Sequence, residues 1–167
     1  FCQEQKFRVD YWDIWTEPDT PGMWRGTWAQ LLETYKRAYD AIKAVDPSAK
    51  FVGPGTTEFG HPFDCDKSKR ITDFLCELSL PPYNTRMDAV SWHELGAMPS
   101  TLPVHAAALR SFLMDPEKFT PPYVAELHVN EYGAPYTAQI PGWTVGWLYY
   151  AEEAHLDWLS RACWTMW

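Results

Sequence analysis

The chain has 167 residues, of which 46% are hydrophobic and 22% charged, a composition typical of a globular domain with one sizeable core. Its net charge of −8, without a cluster of Lys and Arg, argues against a nucleic-acid partner. No apolar run approaches the ~18 residues of a membrane span, so we expect no membrane insertion. The aromatic content of 16%, with 10 Trp, suits either an aromatic core or a sugar-stacking surface.

The cysteines are far apart and form no C-x-x-C pair; they are Cys2, Cys65, Cys76 and Cys163. This spacing argues against a zinc knuckle or a redox motif, and it leaves free thiols and one or two disulfides open. The polar loop with His61, Asp64 and Asp66 could be imagined as a metal site, but it lacks a recognised ligand spacing. We therefore predict neither a metal nor a cofactor.

The first strand and helix have clear boundaries. Residues 11–15 are short, aromatic and β-prone, and Pro18 ends this strand because it has no N–H to donate. Thr27 and Gln30 have the spacing of a capping box, which predicts the start of a helix. Apolar residues then recur at helical spacing until Asp46 and a following proline end the helix.

The same alternation continues to the end of the chain. The predicted elements are a strand over residues 50–53 ended by Pro54 and Gly55, a helix around 71–78, a strand over 88–93, a helix over 104–113, a strand over 123–130, a helix from about 145 to 162 and a strand from 163. Alternation of this kind implies an α/β fold with a parallel sheet, either doubly wound or closed as a (β/α)8 TIM barrel. No glycine-rich phosphate loop follows a strand, which disfavours a nucleotide-binding open sheet. We predict one domain over residues 1–167.

Two glutamates stand at the ends of predicted strands. Glu17 closes the first strand and Glu131 closes the fourth. In a parallel sheet both ends lie on the same face, where the active sites of these folds assemble. Glycosidic bond cleavage requires two such carboxyl groups, one to protonate the leaving oxygen and one to attack the anomeric carbon. From spacing alone, a loop-capping Glu17 and a solvated Glu131 are an equally open interpretation.

The local sequences around both glutamates resemble a known family of enzymes. Residues 15–18 (Trp-Thr-Glu-Pro) resemble the Trp-Asn-Glu-Pro signature that ends the fourth barrel strand of clan A glycoside hydrolases. Residues 130–133 (Asn-Glu-Tyr-Gly) resemble the strand-seven nucleophile segment of that clan. Residues 39–47 and 52–55 are similar to glycoside hydrolase family 39, which contains β-xylosidases and α-L-iduronidases. The resemblance runs from about residue 11 to 133 and implies an incomplete TIM barrel, about strands 4 to 8.

The resemblance also implies a role for individual residues. Glu17 would be the acid/base and Glu131 the nucleophile of a retaining enzyme acting on an oligosaccharide or glycoside, with a carboxyl separation of roughly 5–5.5 Å. His93, at the end of the third predicted strand, would orient Glu131 or bind a sugar hydroxyl. A purely structural role is the alternative for His93.

Further positions are expected to contact the substrate. Tyr132 and Trp164 or Trp167 would form the floor of the sugar subsite, with core packing as the alternative. Thr16 replaces the Asn that in the clan usually hydrogen-bonds the sugar 2-hydroxyl, and a hydroxyl cannot offer an amide's separate donor and acceptor. A carbohydrate-binding pseudoenzyme on the same barrel is therefore the alternative function.

A full barrel takes about 250 residues, so strands 1 to 3 are expected to be absent from this chain. Open sheet edges and an exposed apolar interior would then make the rest of the barrel necessary for stability and activity. His105, His128 and His155 are expected to be structural. The enzyme class suggests a secreted or lysosomal protein.

Overall fold

Five parallel strands, in the order of the chain, form one sheet with helices between successive strands. The computed structural model describes residues 9–133, 137 and 140–162. The strands are β1 (Tyr11–Asp13), β2 (Lys50–Thr56), β3 (Ala89–Glu94), β4 (Glu126–Tyr132) and β5 (Trp158–Arg161). The helices are α1 (Trp28–Val45), α2 (Ile71–Ser79), α3 (Leu102–Leu113), which follows a short 3-10 turn at Pro99–Thr101, and α4 (Pro141–Glu153).

The sheet curls, so that β1 and β4 approach each other across its concave face although β2 and β3 lie between them. The hydroxyl of Tyr11 on β1 lies 2.7 Å from both carboxylate oxygens of Glu126 on β4. Further along the same strands, Asn130 donates a hydrogen bond of 2.8 Å to Asp13. The curl and the alternation of strands and helices are those of an incomplete (β/α)8 barrel, which confirms the predicted fold class.

The hydrophobic core lies on the convex side, between the sheet and its helices. Alternate strand residues point there because side chains alternate across a strand. The core includes Leu31, Tyr35, Phe51, Phe74, Val90, Trp92, Leu109, Leu127, Val129 and Trp147. Burying one large apolar side chain of this kind contributes about 1.5–3 kcal/mol, so this layer holds the helices against the sheet.

Helix α1 begins and ends as the sequence predicts. Thr27 accepts a hydrogen bond from the Gln30 N–H at 3.3 Å, and the Gln30 side chain accepts one from the Thr27 N–H at 2.8 Å. This reciprocal capping box satisfies two N–H groups that the first turn leaves unpaired. At the other end Asp46 donates its N–H to Ile42 and leaves the helical conformation.

The predicted end of the fourth helix was wrong: α4 ends at Glu153, and β5 begins at Trp158 rather than at residue 163. His155 adopts a left-handed backbone with φ 50°. Its N–H binds the Glu152 carbonyl at 3.0 Å, and the Leu156 N–H binds the Ala151 carbonyl at 3.1 Å. This is a Schellman motif, which usually carries glycine at the left-handed position. A histidine there gives no sequence signal for a helix end.

The bounds of two strands also differ from the prediction. β2 continues through Pro54 to Thr56, because β1 pairs with it only as far as Val52 and a residue without N–H is tolerated beyond that point. β4 begins at Glu126 rather than at residue 123. The Tyr123 N–H instead binds the Leu113 carbonyl at 2.9 Å, which ties this residue to the end of α3.

The concave face is polar, which corrects the expectation of an exposed apolar interior. Its side chains include Tyr11, Asp13, Lys50, Ser91, His93, Glu126, His128 and Asn130. At the amino ends of the strands, desolvation alone would raise the pKa of Glu126. Hydrogen bonds from Lys50 and from the hydroxyl of Tyr11 outweigh it and lower this pKa to about 2. At the amino ends of the strands the described concave face is therefore held by hydrogen bonds and an ion pair.

Cys65 and Cys76 are half-buried free thiols, and burial raises the pKa of each. Cys2 and Cys163 lie outside the described residues. Within the described part of the chain, every helix is too short or too polar to cross a membrane.

Candidate active site

Glu17 lies in a tight turn that follows β1. Its backbone has φ 48°, a left-handed conformation that is uncommon for a residue other than glycine. Its N–H donates to the Gly55 carbonyl at 2.8 Å, and its carbonyl accepts from Thr20 N–H and Oγ1 at 3.0 and 2.9 Å. The turn is therefore fixed to the end of β2 and presents the Glu17 side chain at the carboxyl ends of the strands.

The loop beyond Glu17 is anchored by Asp19, whose side chain is fully buried. Asp19 accepts the Thr57 N–H at 3.0 Å, and burial raises the pKa of its carboxyl group against the effect of that bond. His61 Nδ1 lies 3.0 Å from Asp19, near enough for an ion pair although the geometry is not that of a hydrogen bond. Asp64 pairs with Lys67 and Asp66 with Ser68, so the polar loop considered as a metal site is occupied by local contacts.

Glu131 is brought to the site by a bulge in β4. The register pairs Trp92 with Val129 and His93 with Glu131, so Asn130 is an extra residue without a partner on β3. Strand neighbours ordinarily point to opposite faces, and an inserted residue changes this alternation locally. The side chains of Asn130 and Glu131 can thus both lie on the concave side of the sheet, while the side chain of Tyr132 packs in the core.

The structure places Glu17, His93 and Glu131 together. His93 Nδ1 lies 3.0 Å from Glu17 Oε1. One carboxylate oxygen of each glutamate and one His93 nitrogen all lie within 4.8 Å of one another. His93 is 1% exposed, whereas both glutamates are half-buried and accessible from the cleft. Such a group could hold a divalent cation, and it equally suits proton transfer and nucleophilic attack.

Gly55 forms the floor beneath this cluster. Its φ of +62° is left-handed, and a Cβ added there would lie 3.5 Å from the Trp15 carbonyl and 3.8 Å from both Asp13 Oδ2 and His93 Nε2. These distances are ordinary van der Waals contacts, so the left-handed backbone, and not a lack of space, is what favours glycine at this position.

Asp13 is a site residue that the sequence interpretation missed. Its carboxylate accepts the Asn130 side-chain amide at 2.8 Å. The side chain is exposed to solvent in the cleft, but the surrounding protein partly desolvates it and raises its pKa to about 6. The hydrogen bonds from the Trp15 backbone and from Asn130 lower the pKa, by less than desolvation raises it. An acidic residue at an inward position of an otherwise aromatic strand was the available signal.

The other predicted substrate residues are placed differently. Thr16 is exposed beside Glu17. Tyr132 is 5% exposed and packs on Trp147, with ring centroids 5.3 Å apart, so it lies in the core and not at the cluster. Trp164 and Trp167 lie outside the described residues.

A pair of tryptophans next to the site, one exposed and one half-buried, was also missed. Trp15 is 39% exposed and packs edge-on against Trp24, with ring centroids 5.2 Å apart. Its indole N–H donates to the Met23 carbonyl at 3.0 Å, which holds the ring in place.

The three histidines expected to be structural make local contacts. His105 Nδ1 lies 2.6 Å from the buried Glu94, which also accepts the Trp92 indole N–H at 2.6 Å. His128 lies 3.0 Å from Glu126 at the other end of the concave face. His155 forms the turn after α4 and is not inside a helix.

No protein-family model and no curated protein matches the chain. Solved structures do match it. N2152 from Neocallimastix frontalis aligns with 91% of this chain and 34% of its own, at 23% identity and a TM-score of 0.68. A monomeric β-xylosidase from Caulobacter crescentus aligns with 92% of this chain and 33% of its own, at 18% identity and a TM-score of 0.64. A glucosidase from Croceicoccus marinus aligns with 92% of this chain and 32% of its own, at 22% identity and a TM-score of 0.64.

The chain thus spans about a third of the length of these solved chains. The likeness is one of fold, and it does not single out glycoside hydrolase family 39, which stays a prediction. The chain has the fold of an incomplete (β/α)8 barrel, similar to part of the β-xylosidase and of the glucosidase.

Proposed function

We propose that this chain carries the two catalytic carboxyl groups of a retaining glycoside hydrolase, with Glu17 as acid/base and Glu131 as nucleophile. The observation that carries the proposal is the approach of their carboxylate oxygens to within 4.8 Å at the carboxyl ends of the strands. Retaining enzymes hold the two groups about 5–5.5 Å apart, whereas inverting enzymes need about 6.5–9.5 Å to admit a water molecule. The spacing favours the retaining mechanism.

In this mechanism Glu131 attacks the anomeric carbon while Glu17 protonates the departing glycosidic oxygen. The C–O bond to the leaving group breaks, and a covalent bond from the sugar to Glu131 forms. Glu17, now a carboxylate, takes a proton from a water molecule that attacks the anomeric carbon and frees Glu131. The hydrogen bond between His93 and Glu17 holds the Glu17 carboxyl group in one orientation during both steps.

The sugar that the enzyme would cleave is proposed from the resemblance to known families and structures. The family 39 resemblance points to a β-xyloside, and the β-xylosidase and the glucosidase of similar fold support pentose and hexose glycosides as first substrates. We also propose that the remaining strands of a barrel complete the sugar subsites, because β1 and β5 are the edge strands of the sheet in the described residues.

The test is hydrolysis of aryl β-xylosides and β-glucosides by the longest form of the protein that contains this chain. Glu17→Ala and Glu131→Ala should each lower kcat by about 100-fold or more. Glu117→Ala is the matched control, because Glu117 is an exposed loop glutamate and its removal should leave kcat unchanged.

Rescue by azide assigns the two roles. Without the nucleophile, azide attacks the sugar directly and gives a glycosyl azide of inverted configuration. Without the acid/base, azide attacks the glycosyl-enzyme and gives the retained configuration. Identical products from both variants, or full activity in either, would refute the assignment. A wild type that binds sugars without turnover would favour the pseudoenzyme.

A further inference from the structure

We infer that Asp13 and Asn130 form a positioning pair that sets the separation of Glu17 and Glu131. This inference rests on the proposed function. Neither residue is assigned a role in acid/base chemistry or in covalent bond formation. Their effect is exerted through the backbone segments that carry the two glutamates.

At one end, the pair fixes the bulge of β4. Asn130 is the inserted residue, and it directly precedes Glu131. Its side-chain amide donates a hydrogen bond of 2.8 Å to Asp13, which lies across the concave face on β1. A bulge leaves its extra residue without a ladder partner, so the side-chain bond from Asn130 restrains a position that the ladder does not. The direction of the Glu131 side chain follows from that conformation.

At the other end, the pair fixes the turn that carries Glu17. The carboxylate of Asp13 also accepts a hydrogen bond from the Trp15 backbone, two residues before Glu17. It lies beside Gly55, whose carbonyl accepts the Glu17 N–H at 2.8 Å. The carboxylate of Asp13 therefore contacts the side chain of Asn130, which precedes the proposed nucleophile, and the backbone of Trp15, near the proposed acid/base.

The sheet does not need this bond to stay curled. A second contact between β1 and β4, from Tyr11 to Glu126, braces the amino ends of the same strands and includes Lys50 at 2.9 Å. A solvent-accessible hydrogen bond adds little net stability, and the raised pKa of Asp13 shows that its ionised form is disfavoured where it stands. An acidic group kept in such a place is a candidate for a role in function.

The experiment compares Asp13→Ala, Asn130→Ala, the double variant and Asp13→Asn in the active protein. Each alanine variant should lower kcat by about 10- to 100-fold with little change in KM, because a shift of about 1 Å in a catalytic group has this effect. The double variant should be no slower than the slower single variant, since both remove the same bond. Asp13→Asn should stay within about threefold of wild type, because an amide oxygen can still accept from Asn130.

Tyr11→Phe is the matched control, because it removes the other hydrogen bond between β1 and β4 and should leave kcat unchanged. The inference is overturned if the alanine variants keep wild-type kcat, if their losses add, or if Tyr11→Phe loses as much activity. In those cases the Glu17 and Glu131 variants would still be inactive and the proposed function would stand. A wild type without turnover would instead overturn the proposed function, and this inference with it.

Discussion

The imidazole Nδ1 of His93 lies 3.0 Å from Oε1 of Glu17, and His93 is also the register partner of Glu131 on the adjacent strand. A single buried side chain thus links both proposed catalytic groups. The sequence interpretation expected His93 to orient Glu131 or to bind a sugar hydroxyl; in the structure its hydrogen bond is made with Glu17.

Replacing His93 by alanine should lower kcat by about 10- to 100-fold, because Glu17 then loses the partner that fixes its orientation. KM should change less than kcat. His128→Ala is the control, since it removes another imidazole from the same concave face, 3.0 Å from Glu126 and outside the cluster. Equal losses in the two variants would show that His93 acts only through stability.

Replacing Gly55 by alanine should lower the free energy of unfolding by about 1–2 kcal/mol, because a Cβ is unfavourable at its φ of +62°. The turn that carries Glu17 should shift as well and reduce kcat. Gly142 in α4 is the control: a Cβ there meets nothing within 4 Å, so Gly142→Ala should stabilise by about 0.5–1 kcal/mol. Urea denaturation of both variants checks this, and a Gly55→Ala protein as stable as wild type would contradict it.

Replacing Asp13 by asparagine should stabilise the protein above pH 6 and have little effect near pH 4. The pKa of Asp13 rises from 3.8 to about 6 on folding, so between these values the native state binds more protons than the unfolded state. Stability therefore falls as pH rises through this window. The side chain is solvent-accessible, so we expect a gain of at most about 1 kcal/mol.

Asp66 provides a comparison of opposite sign. Its hydrogen bonds with Ser68 lower its pKa, so its ionised form stabilises the fold and Asp66→Ala should lose stability at neutral pH. Urea unfolding of wild type, Asp13→Asn and Asp66→Ala at pH 4 and pH 7.5 tests both predictions. An Asp13→Asn variant that gains equally at the two pH values would contradict the assigned cause.

Replacing His155 by glycine should raise the free energy of unfolding by about 1 kcal/mol, because glycine adopts the left-handed conformation of a Schellman motif without strain. His155→Ala is the control, since it removes the imidazole but keeps the Cβ. A rise in thermal midpoint for both variants would show that the side chain, and not the backbone, is responsible.

Much of the fold could be predicted from local signals. The capping box at Thr27 and the period of α1 are properties of short segments, and so is the order of strands and helices. Glu17 and Glu131 were predicted to meet because the carboxyl ends of parallel strands share one edge. These inferences needed no knowledge of distant contacts.

The rest depended on contacts that short segments do not contain. The pairing of Asp13 with Asn130 joins residues 117 positions apart and exists only once the sheet has curled. The bulge at Asn130 is set by the register with β3, and the end of α4 is set by a left-handed histidine. Tyr132 follows the proposed nucleophile in sequence, yet the alternation resumed after the bulge turns it into the core.

The polar concave face has a thermodynamic consequence. Closing a barrel over it would bury the Lys50 and Glu126 pair and several hydrogen-bonding groups, with little hydrocarbon. Burial of polar surface contributes to the heat capacity with the opposite sign to burial of apolar surface. Calorimetry of such a closure should therefore give a small heat-capacity change.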